Sequence, residues 1–142
     1  MKKFNFRLEK ILKLRKFAEE ECKIALGQAI SILNAIENNI QETALRRHHA
    51  ASQRFEVPTE ILAWDIYISR LDREAERLTE QAAQAELVVE EKRAQYMEAS
   101  RDLKAIEKLK EKRLEEYKKE VQVYETAEFE DISAASMVAA SD

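Results

Sequence analysis

Between Ile61 and Ile106 the apolar residues recur at alternating steps of three and four: Ile61, Trp64, Ile68, Leu71, Ala75, Leu78, Ala82, Ala85, Val89, Tyr96, Ala99, Leu103 and Ile106. Lys92 is the one polar position in that series, and neither Gly nor Pro interrupts it. A 3.5-residue period held this long specifies one continuous helix whose seam stays dry only against another helix. At about 1.5 Å per residue the stretch alone predicts a rod of roughly 70 Å. The chain is therefore expected to be all-α, and its function must be one that paired helices can perform.

A partner for that seam lies upstream. Asn5 is placed to accept from the free N–H groups of a first helical turn. From there the apolar positions run Leu8, Ile11, Leu12, Leu14, Phe17, Ala18, Cys22, Ala25, Leu26, Ala29, Ile30, Ile32, Leu33, Ile36, Ile40 and Leu45. Between Cys22 and Ile36 the stripe is wider than a strict seam, which fits either a generous helix contact or burial by a second partner. Gly27 costs about 1 kcal/mol in a helix interior, and with Ala25 and Ala29 beside it a close helix approach is the expected reason.

The only proline, Pro58, follows a weakly periodic stretch and marks the break. A short link between two long amphipathic helices predicts an antiparallel hairpin. Pairing Leu45 with Leu71 brings Ile36 near Leu78 and Ala82, and Ile11 near Ile106. Trp64 and Tyr67 fall just past the bend, where Trp64 either packs or is presented to a partner. Past Ile106 the stripe continues through Lys110, Leu114, Tyr117, Val121 and Tyr124 only with one extra step of four, a stutter that locally unwinds a left-handed supercoil.

The predicted architecture is thus an elongated antiparallel two-helix coiled-coil hairpin with a longer second helix, over residues 1–126. Its first helix covers about 5–53, the bend about 54–59 and the second helix about 60–126. Residues 127–142, with no Lys or Arg, read as an acidic flexible tail.

Composition agrees: 37% of residues are charged and 7% aromatic, with one Gly and one Pro. No apolar run approaches the roughly 20 residues that cross a bilayer, and the basic start lacks the apolar block of a signal peptide. Direct membrane insertion is not expected. The single Cys22 forms no internal disulfide and suits a reducing compartment.

Charge is unevenly spread. Residues 1–16 carry seven bases against Glu9, and residues 104–119 carry seven against four acids, whereas residues 17–100 hold nine bases against sixteen acids. A hairpin brings both basic groups to the open end. The bland reading is solvated helix faces. The functional one is a docking end for an acidic partner, with Phe4, Phe6 and Phe17 as anchors. The acidic body and tail weigh against nucleic acid.

Catalytic signals are missing. One glycine cannot build a phosphate loop, and adjacent His48 and His49 point about 100° apart rather than toward one metal. The many carboxylates have no cleft to desolvate them, and Cys22 has no base nearby in the pairing. Neither an enzyme, a cofactor nor a metal site is expected.

Two stretches carry a family resemblance. Phe4-Asn5-Phe6-Arg7-Leu8-Glu9-Lys10-Ile11-Leu12-Lys13-Leu14-Arg15-Lys16-Phe17, followed by Glu19-Glu20-Glu21, resembles the opening of the flagellar export protein FliJ family. Glu107-Lys108-Leu109-Lys110-Glu111-Lys112-Arg113-Leu114-Glu115-Glu116-Tyr117-Lys118-Lys119-Glu120 is similar to that family's basic C-terminal helix. The resemblance spans roughly residues 1–126. It implies a cytoplasmic stalk-like component of the flagellar type III export apparatus, peripheral at the inner membrane. Such a component engages the hexameric export ATPase, contacts the export-gate membrane protein and associates with export chaperones. It also implies that Phe4, Phe6, Arg7, Leu8, Lys10, Leu14 and Arg15, with Lys110, Arg113, Tyr117 and Lys118, form the ATPase-facing patch. A virulence-type secretion stalk, or a scaffold self-associating through Leu26, Ile30 and Leu33, are the alternatives.

Overall fold

The computed structural model describes residues 2–141. It contains two helices, α1 (Glu9–Ala51) and α2 (Pro58–Ser141), and no strand among the described residues. At 43 and 84 residues, the second is the longer, and the two pack against each other as a hairpin. The chain divides into two compact units. One joins the N-terminal residues up to Glu19 to those from Ala99 onward, and the other is Glu20–Glu98.

In the Glu20–Glu98 unit, the three-and-four alternation decides what is covered. On α2, Leu71, Leu78, Ala82 and Val89 are buried, and Trp64, Ile68, Ala75, Ala85, Lys92 and Tyr96 are half-buried. Ile61, at 44% exposure, is the member of the predicted seam left outside. On α1, Ala29, Thr43 and Ala50 are buried, with Cys22, Leu26, Ile30, Leu33, Ile36 and Ile40 half-buried. Each fully buried Leu removes enough apolar area to contribute about 1.5–3 kcal/mol.

The expected pairing of Leu45 with Leu71 does not form, since Leu45 is 70% exposed. The phase of α1 is set by Leu26, Ala29, Leu33, Ile36 and Ile40. One further step of three reaches Thr43, which is 5% exposed. Arg47 then meets Asp72 at 2.5 Å beside the seam. The wide stripe also resolves: Ile24 and Ile32 face out, whereas Leu26, Ile30 and Leu33 are covered within the hairpin. Gly27 is not a point of close approach either. It lies on the outer face, and a Cβ added there would meet nothing within 4 Å.

The bend comes slightly earlier than the sequence suggests. Ser52 closes α1, its N–H and hydroxyl both donating to the His48 carbonyl. Val57 then offers its carbonyl to the N–H groups of Glu60 and Ile61, which makes Pro58 the first helical residue. Proline is suited to that place, having no N–H to leave unpaired and a φ already near the helical value. Trp64 packs here, stacked on Phe55 at 5.1 Å and edge-on to Tyr67 at 5.6 Å.

In the unit of the paired termini, α1 starts at Glu9, four residues past the expected cap at Asn5. A nonlocal contact overrides the local signal. Phe6 is buried and Phe4 lies 5.5 Å from Tyr117 of α2, so residues 2–8 form a strap rather than a first turn. Leu12, 2% exposed, begins the α1 seam instead of Ile11. On α2, adjacent half-buried pairs recur at Ala99–Ser100, Asp102–Leu103, Ile106–Glu107 and Leu109–Lys110, and cover then narrows to Leu114, Tyr117 and Val121. Cover ends at Val121, with Tyr124 at 51% exposure. The segment expected to lie beyond the second helix is helical to Ser141. It contains neither Gly nor Pro and five alanines from Ala127 to Ala140, so intrinsic propensity carries the helix on without packing.

Candidate functional site

The strap and the facing part of α2 enclose a cleft of about 510 Å³. Four of the sequence-selected residues, Phe4, Phe6, Arg7 and Leu8, line it from the strap, and Arg113 and Tyr117 line it from α2. Tyr117 fixes the arrangement: its ring meets Phe4, and its hydroxyl donates to the Lys2 carbonyl at 2.7 Å. Phe6 points inward at 8% exposure, so it anchors the strap and presents Arg7 rather than offering its own ring.

The other selected residues lie outside the cleft. Lys110 is held by Glu9 at 2.9 Å, and Arg15 by Asp102 at 3.4 Å. Both pairs tie α1 to α2. Lys10, Leu14 and Lys118 are exposed, Leu14 at 66%. Arg7, Lys10 and Lys118 have no ion-pair partner among the described residues, which leaves them the most available charges of the set.

Sequence reasoning missed Asn5, Leu109, Glu116 and Glu120 in the cleft wall. Helical spacing held the signal for the two acids: Glu116 is three residues past Arg113, and Glu120 three past Tyr117. Arg113 in fact donates to Glu116 at 3.4 Å. The cleft is therefore mixed in charge, two guanidinium groups against two carboxylates, although the surrounding ends are basic.

The electrostatics are those of a washed surface. Glu9 titrates below its ordinary 4.5 because its carboxylate accepts a hydrogen bond from Lys110. Partial desolvation opposes this, and the charges of Lys110, Lys13 and Lys16 reinforce it. Elsewhere Glu74 is lowered and Arg77 raised by the hydrogen bond they share. Among the described residues no cluster of His, Cys, Asp or Glu could hold a metal, and no helix is long and apolar enough to cross a membrane. What such a place can do chemically is grip another surface.

The family model for "Flagellar FliJ protein" matches residues 4–139. The chain belongs to the flagellar FliJ family. No curated protein and no solved structure matches it. FliJ-family proteins are non-enzymatic components of flagellar protein export. The match begins at Phe4, so it takes in the strap from Phe4 to Leu8 and most of the exposed end of α2.

Proposed function

We propose that this FliJ-family chain is a stalk-like part of the flagellar type III export apparatus, working in the cytoplasm at the inner-membrane machinery. It binds the hexameric export ATPase ring, couples the ring to the export-gate membrane protein and associates with export chaperones. The family match over residues 4–139 carries this reading. The geometry supports it: Phe4 to Leu8 are held against Arg113 and Tyr117, so two sequence-distant segments present one surface. In this reading Arg7, Lys10, Arg113 and Lys118 supply the charge, and Leu8, Leu14 and Arg15 extend the contact along α1. Exposed charges of this kind steer and orient an encounter more than they tighten it.

The test is reconstitution with the purified export ATPase. The chain should raise the ATPase's hexamerisation and turnover. The variant carrying Arg7→Glu, Lys10→Glu, Arg113→Glu and Lys118→Glu should lose that effect while keeping its helicity by circular dichroism. Normal stimulation by the quadruple variant would show that the basic patch does not face the ring.

A further inference from the structure

Two surfaces remain that the reading above does not use, both on α2. The first is a row of arginines in the Glu20–Glu98 unit. Arg70, Arg73 and Arg77 follow one another at steps of three and four, so they share one face of the helix, about 4.5 and 6 Å apart along it. They line a shallow groove of about 360 Å³ with Ile66 and Glu74. Glu74 engages Arg77, while Arg70 and Arg73 have no ion-pair partner among the described residues. The same face continues back to Ile66 and Leu62, exposed at 53% and 62%. A cationic row ending in bare aliphatic groups asks for a partner that is acidic and apolar together.

The second surface is the end of α2. From Glu120 onward the sequence contains no Lys or Arg, and every residue from Gln122 to Ala140 is exposed. Glu125, Glu128 and Asp131 recur at steps of three, about 4.5 Å apart, close to the spacing of the arginines. Tyr124 and Ile132 border them on the same side of the helix, at 51% and 63% exposure. Propensity alone holds this segment helical, and a partner that covers its apolar side would add burial.

We propose that these two surfaces are halves of one interface between copies of this chain. The acidic end of α2 in one copy docks on the Arg70–Arg73–Arg77 face of another, with Tyr124 and Ile132 covering Ile66 and Leu62. Each half is exposed, and a second copy offers each the charge it lacks. Isolated surface ion pairs contribute little each. A row with two unpaired arginines, Arg70 and Arg73, and Arg77 shared with Glu74, beside an apolar border, is a different case, giving orientation from charge and adhesion from burial. The association is salt-sensitive, and it is independent of the strap and of any export ATPase.

Sedimentation of the full chain across concentration, at about 50 and about 500 mM salt, tests it. The mass should rise above that of the monomer at low salt, with the dissociation constant weakening by about tenfold or more at high salt. The variant R70E/R73E/R77E and the variant E125K/E128K/D131K should each sediment as monomers with unchanged helicity. Mixed in equal amounts they should associate, because each then offers the charge the other needs. A monomer at every concentration at low salt overturns the proposal. So does an association that survives both reversals, or a mixture that stays monomeric.

Discussion

Around the bend the hairpin closes by burial, whereas at the paired termini it closes by polar contacts and a strap. In the Glu20–Glu98 unit, Leu71, Leu78, Ala82 and Val89 are almost shut off from solvent. Near the turn, Phe55 of the connecting segment stacks on Trp64 of α2, and an ion pair spanning 25 residues of sequence joins the two helices. In the other unit only Phe6 and Leu12 are buried among the described residues. Its ties are the Glu9–Lys110 and Arg15–Asp102 pairs and the hydroxyl of Tyr117 on the Lys2 carbonyl. One seam can therefore be strong or loose along its length, and the looser part carries the proposed binding surface.

The sharpest way to break this comparison is to hollow out the tight part. Leu78→Ala, at a site 4% exposed, should cost about 3 kcal/mol in urea unfolding. Phe6→Ala should cost less, about 2 kcal/mol, because the strap can detach on its own and cap the loss. Hydrogen exchange should then show lost protection early in α1 while the amides around Leu78 keep theirs. If both variants loosen the whole chain equally, the two units do not differ as described.

Tyr117→Phe keeps the ring against Phe4 and removes one hydrogen bond, so a loss of about 1 kcal/mol is expected by thermal melting. Gly27→Ala works in the opposite direction, adding roughly 0.5–1 kcal/mol, since the new methyl meets open space and the unfolded chain loses freedom. A destabilised Gly27→Ala protein would mean that the outer face of α1 is in fact covered. The smallest effect concerns acid. Glu9 titrates lower when folded than when unfolded, so its pair with Lys110 stabilises the chain above the ordinary carboxylate range. That contribution disappears as pH falls through the lowered value, below about 4.5. Glu9→Gln should flatten this part of the pH–stability curve and leave the neutral-pH fold in place.

The seam of α2 was legible because its three-and-four series stays in phase although Leu62, Ile66, Leu87 and Met97 put apolar groups elsewhere: only Ile61 of the expected series is exposed. The partner face of α1 was harder, since Leu14, Phe17, Ile32 and Leu45 put apolar side chains on other faces. A stripe drawn through all of them loses its phase, and the true seam takes in Thr43 and half-buried Glu19, which no hydrophobic pattern selects. The start of α1 was misplaced for a different reason. Asn5 is a good local cap, but the burial of Phe6 against distant residues outweighs it. At the other end, absent packing suggested a tail, and alanine-rich propensity gave helix instead. Of the residues that line the cleft, Phe4, Phe6, Arg7 and Arg113 stood out by charge and aromatic character, and Leu8 and Tyr117 came from the family resemblance. The cleft's two acids stayed hidden because attention to basic groups passes over them.

The Tyr117–Lys2 hydrogen bond spans 115 residues of sequence, against 25 for the Arg47–Asp72 pair beside the turn. Loops that large close at a greater entropic cost and later than short ones. The hairpin should then zip from its turn outward, its two ends meeting last and parting first. A larger assembly that seizes those ends meets the part of the molecule with the least cooperative cohesion, where separation needs no global unfolding. The clasp thereby doubles as a latch, closed in the free protein and easily slipped.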